Sequence, residues 1–376
     1  MNEFLDWLSA AATRREELGL TRRLRAVKPG ELLDLAGNDY LGLLRHPAVV
    51  SGAVAAAQTY GGGAGASRLV TGTLPIHDEL ESRLASLTRS PAALVFSTGY
   101  HANLAAVTAL TDAQTLLVSD AHIHASLVDA ARLSRATVAV AGHCDVDAVV
   151  RLLRGRDRHT HPRALVMVES IYSVLGDAAP LAALAEVCMA LDAVLLVDEA
   201  HGIGVAGPAG EGLAAQLGLT AEPGVVTTVT LSKALAAQGG AVLGHPAVRD
   251  HLVNTARPFI YDTGLAPGAA GAALGALDVL AAEPHRLGAI RRNAELLADA
   301  CGVARPDGAV LSVAMAGPAE ALAAVADAEA RGIRMGCFRP PSTPDKTSRL
   351  RLTAHANHEP EDLAPALDLL RGLLRG

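Results

Sequence analysis

Lysine is scarce in this chain. Of 376 residues only Lys28, Lys233 and Lys346 are lysine, against 29 arginines. Any chemistry that needs a lysine amine therefore has three candidates. Aromatic residues make up 3% of the chain, which argues against stacking platforms for single-stranded nucleic acid. Basic charge is not in surplus either: 39 acidic residues leave a formal net charge of -7, unlike a general nucleic-acid binder. Cysteine occurs only at Cys144, Cys188, Cys301 and Cys337. No pair has CxxC spacing, which excludes a zinc knuckle and a thioredoxin-like pair, and scattered thiols fit a reducing compartment. Glu3 and Asp6 stand where a secretory leader carries positive charge. The charge-poor stretches 48–67, 90–111 and 263–282, the last carrying Asp278, are broken by glycines, hydroxyl residues or Pro267, so none reads as a membrane span. The expectation is a cytoplasmic protein with no membrane or nucleic-acid partner.

Residues 1–26 read as an amphipathic helix, with Phe4, Leu5, Leu8 and Ala12 on one side. From Ala92 onward, short apolar runs alternate with helix-like segments. The runs are Ala92–Phe96, Leu116–Val118, Thr137–Ala141, Ala164–Val168, Ala193–Val197, Val225–Leu231 and Ala241–Leu243. Continuous apolar strands between helices predict a parallel sheet covered on both faces. Gly271 and Gly275 in the small-residue helix 268–280 predict close helix packing. From about Glu283 the rhythm becomes helix, strand (309–314), helix (319–330), strand, loop, strand (349–353), helix, which predicts a smaller α+β unit.

Ligands of such sheets lie beyond the carboxyl ends of the strands. The residues standing there are Ser97-Thr98-Gly99-Tyr100, Asp120-Ala121-His122-Ile123-His124, Glu169-Ser170-Ile171-Tyr172-Ser173, Asp198-Glu199-Ala200-His201-Gly202 and Ser232-Lys233. Serine, threonine, glycine and aspartate are ordinary turn residues. The histidines and the lysine are what make this edge unusual. Lys233 ends an apolar run and precedes a helix-like segment, whose N-terminus disfavours an idle cation. Such a lysine suits nucleophilic or Schiff-base chemistry. Lys28, beside Pro29-Gly30, and Lys346, in Thr343-Pro344-Asp345-Lys346, read as turn lysines.

Asp198 at the mouth of a buried strand needs a positive partner, such as a protonated pyridine nitrogen, a metal or an arginine, or else it caps the following turn. The string Asp198-Glu199-Ala200-His201 also occurs in helicase ATPases. Those need an upstream GxxxxGK[ST] loop, and no lysine lies between Lys28 and Lys233. Ser97–Tyr100 opens a helix after a strand and makes an anion site. His122 and His124 lack a third ligand at suitable spacing, so no metal site is expected. Gly61–Ala66 lacks a preceding strand, which speaks against a dinucleotide loop. Arg349 and Arg351 alternate along one strand and point the same way; one could grip a carboxylate, or both could be surface arginines.

Taken together, Asp198-Glu199-Ala200-His201-Gly202, Thr230-Leu231-Ser232-Lys233 and Arg349-Leu350-Arg351-Leu352-Thr353 resemble the α-oxoamine synthases. Asn38–Leu43, Gly65–Gly72 and His124-Ala125-Ser126-Leu127 extend the resemblance over nearly the whole chain. It implies a fold-type I transferase dependent on pyridoxal 5'-phosphate (PLP). The fold is α/β, a mostly parallel central sheet with helices on both faces plus a smaller C-terminal α+β domain. On this reading residues 1–45 form an N-terminal arm, 46–280 the large PLP-binding domain and 281–376 the small domain.

By resemblance, Lys233 would carry PLP covalently, Asp198 would pair with its ring nitrogen, His201 would bond its ring hydroxyl and His124 would stack on its face. Gly99, Tyr100, Ser173 and Thr230 would hold the cofactor, and Thr263 would reach the neighbouring subunit's phosphate. Arg351, Arg22, His124 and Ser342 would bind substrate, Ser342 standing where relatives often have threonine. Lys233 and His124 would be catalytic. The implied substrates are L-alanine and pimeloyl-CoA or pimeloyl-acyl-carrier protein, acted on by a homodimer with active sites at the subunit interface. Glycine C-acetyltransferase and 5-aminolevulinate synthase are the alternatives within the family. A non-catalytic subunit of the same fold would lack the lysine that is present here.

Overall fold

The computed structural model describes residues 2–22, 24, 26, 28, 30–340, 343 and 345–373. Its strands, in chain order, are β1 (Leu33–Leu35), β2 (Ala92–Phe96), β3 (Thr115–Asp120), β4 (Thr137–Ala141), β5 (Arg163–Glu169), β6 (Val194–Asp198), β7 (Val225–Thr230), β8 (Gly240–Gly244), β9 (Val310–Ala314), β10 (Ile333–Phe338) and β11 (Arg349–Thr353). Every apolar run singled out in the sequence forms a strand, displaced by two residues at most.

Seven strands form the main sheet in the order β2-β8-β7-β6-β5-β3-β4. Strands β4, β3, β5, β6 and β7 are mutually parallel. The exception is β8, which runs antiparallel to both β7 and β2. Side chains alternate across the sheet as a two-residue period demands. In β3, Leu117 joins an apolar cluster with Leu94, Leu127, Met167 and Leu196 on one face. Its neighbours Leu116 and Val118 join Val166, Val168, Leu184 and Leu195 on the other. Every residue of β3, β7 and β8 is buried. Full burial of a leucine or valine side chain is worth roughly 1.5–3 kcal/mol, so these runs anchor the sheet.

The second sheet has the order β1-β10-β11-β9. Its β1 comes from the N-terminal segment and pairs parallel with β10, a partnership the C-terminal rhythm did not disclose. The helices Pro47–Tyr60 and Pro267–Ala282 pack closely through glycines. A Cβ at Gly271 would lie 2.3 Å from the carbonyl oxygen of Gly52, and one at Gly275 would lie 2.5 Å from that of Ala48.

The first helix is shorter than the amphipathic pattern suggested. It spans Glu3–Glu17 and stops at Leu18 and the left-handed Gly19 (φ 63°). None of its residues is buried, and Phe4, Leu5 and Trp7 stand exposed. No helix among the described residues is long and apolar enough to cross a membrane.

Candidate active site

The carboxyl ends of β3, β5, β6 and β7 open into one cavity of about 250 Å³. Thr98, Gly99, Tyr100, His124, Asp198, His201, Thr230 and Lys233 all line it. The helix Gly99–Leu110 begins at its wall. Thr98 caps that helix, its hydroxyl accepting from the His101 N–H at 3.0 Å. A helix start carries N–H groups without intrahelical partners and a positive dipole end, the requirement of a phosphate. Glycine is obligatory beside it: a Cβ at Gly240 would sit 2.5 Å from the Gly99 Cα, and one at Gly99 would sit 2.9 Å from the Thr230 Cβ.

Lys233 follows β7 and is half-buried because it faces the cavity. Its Nζ lies 2.9 Å from His201 Nε2. Burial pulls the ammonium below the ordinary lysine range, against the opposing attraction of the Asp198 and Glu169 carboxylates. His201 is buried, and its pKa lies well below the usual value because of that burial, with Lys233 and Arg351 adding repulsion. Its Nδ1 lies 2.7 Å from the Tyr40 hydroxyl, which itself donates to Asn38 Oδ1 at 2.9 Å. The Tyr40 oxygen therefore accepts from Nδ1–H, leaving Nε2 as the acceptor that meets Lys233. Burial, then the nearby Asp198, raises the Glu169 carboxyl above its usual range. Glu169 accepts from the Ser173 N–H at 2.9 Å.

The buried Asp198 carboxylate ends β6. One oxygen takes the Ala200 N–H at 2.9 Å and the other takes Asn103 Nδ2 at 2.7 Å. His124 precedes the helix Ala125–Leu133 and caps it through Nδ1. Its pKa is lowered first by burial, the Lys233 charge lowering it further while Asp198 opposes. Arg351 is buried on β11, 5.4 Å above the Phe338 ring. Its Nε donates to the Ser173 carbonyl at 2.6 Å and its Nη2 to Asn38 Oδ1 at 3.2 Å. Arg349 pairs with Asp345 instead, so the two alternating arginines have separate partners.

Four of the expected residues, Arg351, Ser173, Thr263 and Arg22, do not line the cavity. Ser173 stands behind it, beside Glu169. Thr263 is exposed in the segment after the short helix Arg257–Ile260, where Asp262 meets Ser97. Arg22 is exposed beyond the first helix, and Ser342 lies outside the described residues. Among the lining residues that carry no role in the sequence reading are Asn103, Ser126, Glu169 and Thr228. Glu169 and Ser126 fall in strings quoted for strand ends or resemblance. Asn103 was detectable only as the residue one helical turn after Gly99.

The half-buried lysine, the buried Asp198 carboxylate, the histidine at the mouth and the helix N-terminus fit PLP. The family model for aminotransferase class I and II matches residues 30–370. An 8-amino-7-oxononanoate synthase from Mycolicibacterium gilvum is 54% identical over 372 residues, covering 98% of this chain and 97% of the relative. One from Mycobacterium ulcerans is 52% identical, covering 99% and 95%. Among solved structures, a serine palmitoyltransferase from S. paucimobilis with PLP and myriocin bound superposes with a TM-score of 0.90 at 28% identity, covering 99% of this chain and 98% of the other.

Proposed function

This chain belongs to the aminotransferase class I and II family, and from that premise we propose that it catalyses the PLP-dependent decarboxylative condensation of L-alanine with a pimeloyl thioester. The products are 8-amino-7-oxononanoate, CO2 and the free thiol, in biotin biosynthesis. The observation that carries the substrate choice is 54% identity to a synthase of that name over 98% of the chain. A carbon–carbon bond forms between the alanine Cα and the acyl carbonyl, the carbon–sulfur bond breaks, and the alanine carboxyl group leaves as CO2.

When bound, PLP supplies the electron sink that makes loss of a proton or a carboxylate from Cα feasible. The residues of the chain do the rest. Lys233, its ammonium drawn down by burial, takes a proton from Cα and returns one later. Asp198 would face the ring nitrogen, His201 and His124 would hold the ring, Gly99, Tyr100 and Thr230 would complete the cofactor site, and Ser173 would support it from behind through Glu169. Arg351, a fork of donors pre-aimed by Ser173 and Asn38, binds the amino-acid carboxylate. Arg22 and Ser342 assist with substrate.

The division into residues 1–45, 46–280 and 281–376 and a cytoplasmic location belong to the same proposal. So does a homodimer in which Thr263 reaches the neighbouring site. The exposed Thr263 and the uncovered Phe4, Leu5 and Trp7 support it. The decisive assay offers L-alanine, glycine and L-serine against pimeloyl, acetyl, succinyl and palmitoyl thioesters, with products identified by mass. Alanine and a pimeloyl donor should give the 8-amino-7-oxo product. No condensation of that pair, on CoA or on carrier protein, rejects the proposal.

A further inference from the structure

A hydrogen-bond chain runs from the buried Asp198 out to the exposed His124, and the direction of every proton in it can be worked out. Thr228 Oγ1 donates to Asn103 Oδ1 at 2.6 Å. Asn103 Nδ2 donates to Asp198 Oδ2 at 2.7 Å and to Ser126 Oγ at 2.8 Å. A flipped Asn103 would oppose its oxygen to a carboxylate, so the amide orientation is settled by the network. Ser126 Oγ, having received one proton from Asn103, lies 2.8 Å from His124 Nδ1. The Ser126 backbone N–H also points at Nδ1, at 3.2 Å, and completes the helix cap. A proton on Nδ1 would collide with that N–H and face the positive end of the helix dipole. Nδ1 is therefore the acceptor, and the Ser126 hydroxyl donates to it.

We infer that Asn103 and Ser126 are positioning residues that lock His124 as the neutral tautomer with its proton on Nε2, and that they tie this choice to the Asp198 carboxylate. The ring then presents one N–H donor and no cation to whatever lies in the cavity. Asn103, held by Thr228, and Ser126 thus join Asp198, assigned to the edge of the cofactor ring, to His124, assigned to its face. Rotation of Asn103 would cost a bond at Asp198 and release the His124 ring together. The caps at His46 and His245 use Nδ1 on a backbone N–H in the same way. Ser126 adds a side-chain hydroxyl to this cap.

The inference rests on the proposed role of His124, but its test does not need turnover. The imidazole nitrogens of the full-length protein, labelled with 15N-histidine and free of PLP, report the tautomer directly. A His124→Asn sample identifies the signals. Wild type should show a pyridine-type Nδ1 and a protonated Nε2 that persist to pH values below the ordinary histidine midpoint. Ser126→Ala keeps the backbone N–H on Nδ1 but loses the hydroxyl donor, so a minor Nδ1–H population should emerge and the midpoint move upward, with kcat/KM down on the order of tenfold, the scale of one hydrogen bond. A wild-type proton on Nδ1, or a mixture of tautomers, overturns the inference. So does an unchanged pattern in Ser126→Ala. Failure of the alanine condensation assay alone leaves the tautomer result standing, so the two failures are distinguishable.

Discussion

Two histidine clusters flank one loop and differ in charge, one neutral and one cationic. Residues 120–124 join β3 to the helix Ala125–Leu133. At the cavity end, His124 and His201 are held neutral. At the other end, His143 bridges two carboxylates, with Nδ1 3.0 Å from Asp120 and Nε2 2.9 Å from Asp177. Burial works against a charge on His143, but the hydrogen bonds to Asp120 and Asp177 override it and push its pKa up to about 12. His122 stacks on the His143 ring at 4.3 Å, and Tyr172 meets it edge-on at 4.4 Å. The same side chain becomes a fixed cation or a fixed base according to what faces its nitrogens. Asp120, His143 and Cys144 place possible ligand atoms within 4.8 Å of one another. The Asp120 oxygens are nonetheless taken by His143 and by the N–H groups of His122 and Cys144. On the proposed function the first cluster serves chemistry, whereas the hydrogen bonds of the second tie the loop together.

Breaking the chemical cluster has the largest effect. Lys233→Ala should lose turnover to the detection limit, and borohydride should no longer fix PLP to the protein. Fixation at Lys28 or Lys346 in the wild type would overturn the assignment. Next comes the ionic cluster. His143→Leu leaves Asp120 buried without its cation, a change that costs about 3–5 kcal/mol, readable from the denaturant midpoint at neutral pH. A double-mutant cycle with Asp177→Asn should show coupling; simple additivity would mean that the bridge does not exist.

The third test uses pH. His201 and His124 sit below their ordinary pKa, so the unfolded chain binds protons that the folded chain does not. Their contribution is complete above about pH 6.5 and declines as pH falls. His143 has the opposite sign. Its contribution is complete below about pH 6.5, wanes above that and is gone beyond about pH 12. The penalty of His143→Leu should therefore shrink as the solution becomes alkaline, and a penalty that grows there contradicts the raised pKa. The smallest effect is expected at Tyr100→Phe. It loses an exposed bond to Asp129 and should change stability by less than about 1 kcal/mol.

The main strands were legible because buried strands are continuous apolar runs, and Ala92–Phe96 and Thr137–Ala141 match to the residue. Strand direction was not legible. Ala241–Leu243 looks like any other buried run, yet β8 is the antiparallel member of the main sheet, since an apolar run carries no sign of which way its partner points. The helix expected over 1–26 ends at Glu17 because Gly19 adopts a left-handed conformation that the apolar pattern does not reveal. In the site, Lys233, Asp198, His201 and His124 stood out because ionisable residues at strand ends are conspicuous. Asn103 did not, because an asparagine within a helix reads as solvent-facing until another segment, here Ser126 and Asp198, closes over it.

The antiparallel β8 also governs how Lys233 can move. The connection 231–239 leaves β7 and returns to the strand beside it. Its two feet are stitched together, Leu231 N–H to the Gly239 carbonyl at 3.0 Å and Ala237 N–H to the Leu231 carbonyl at 2.9 Å. A lysine on so short a leash has to travel by turning its own side-chain bonds and not by swinging the peptide beneath it, so its reach is set by the side chain alone.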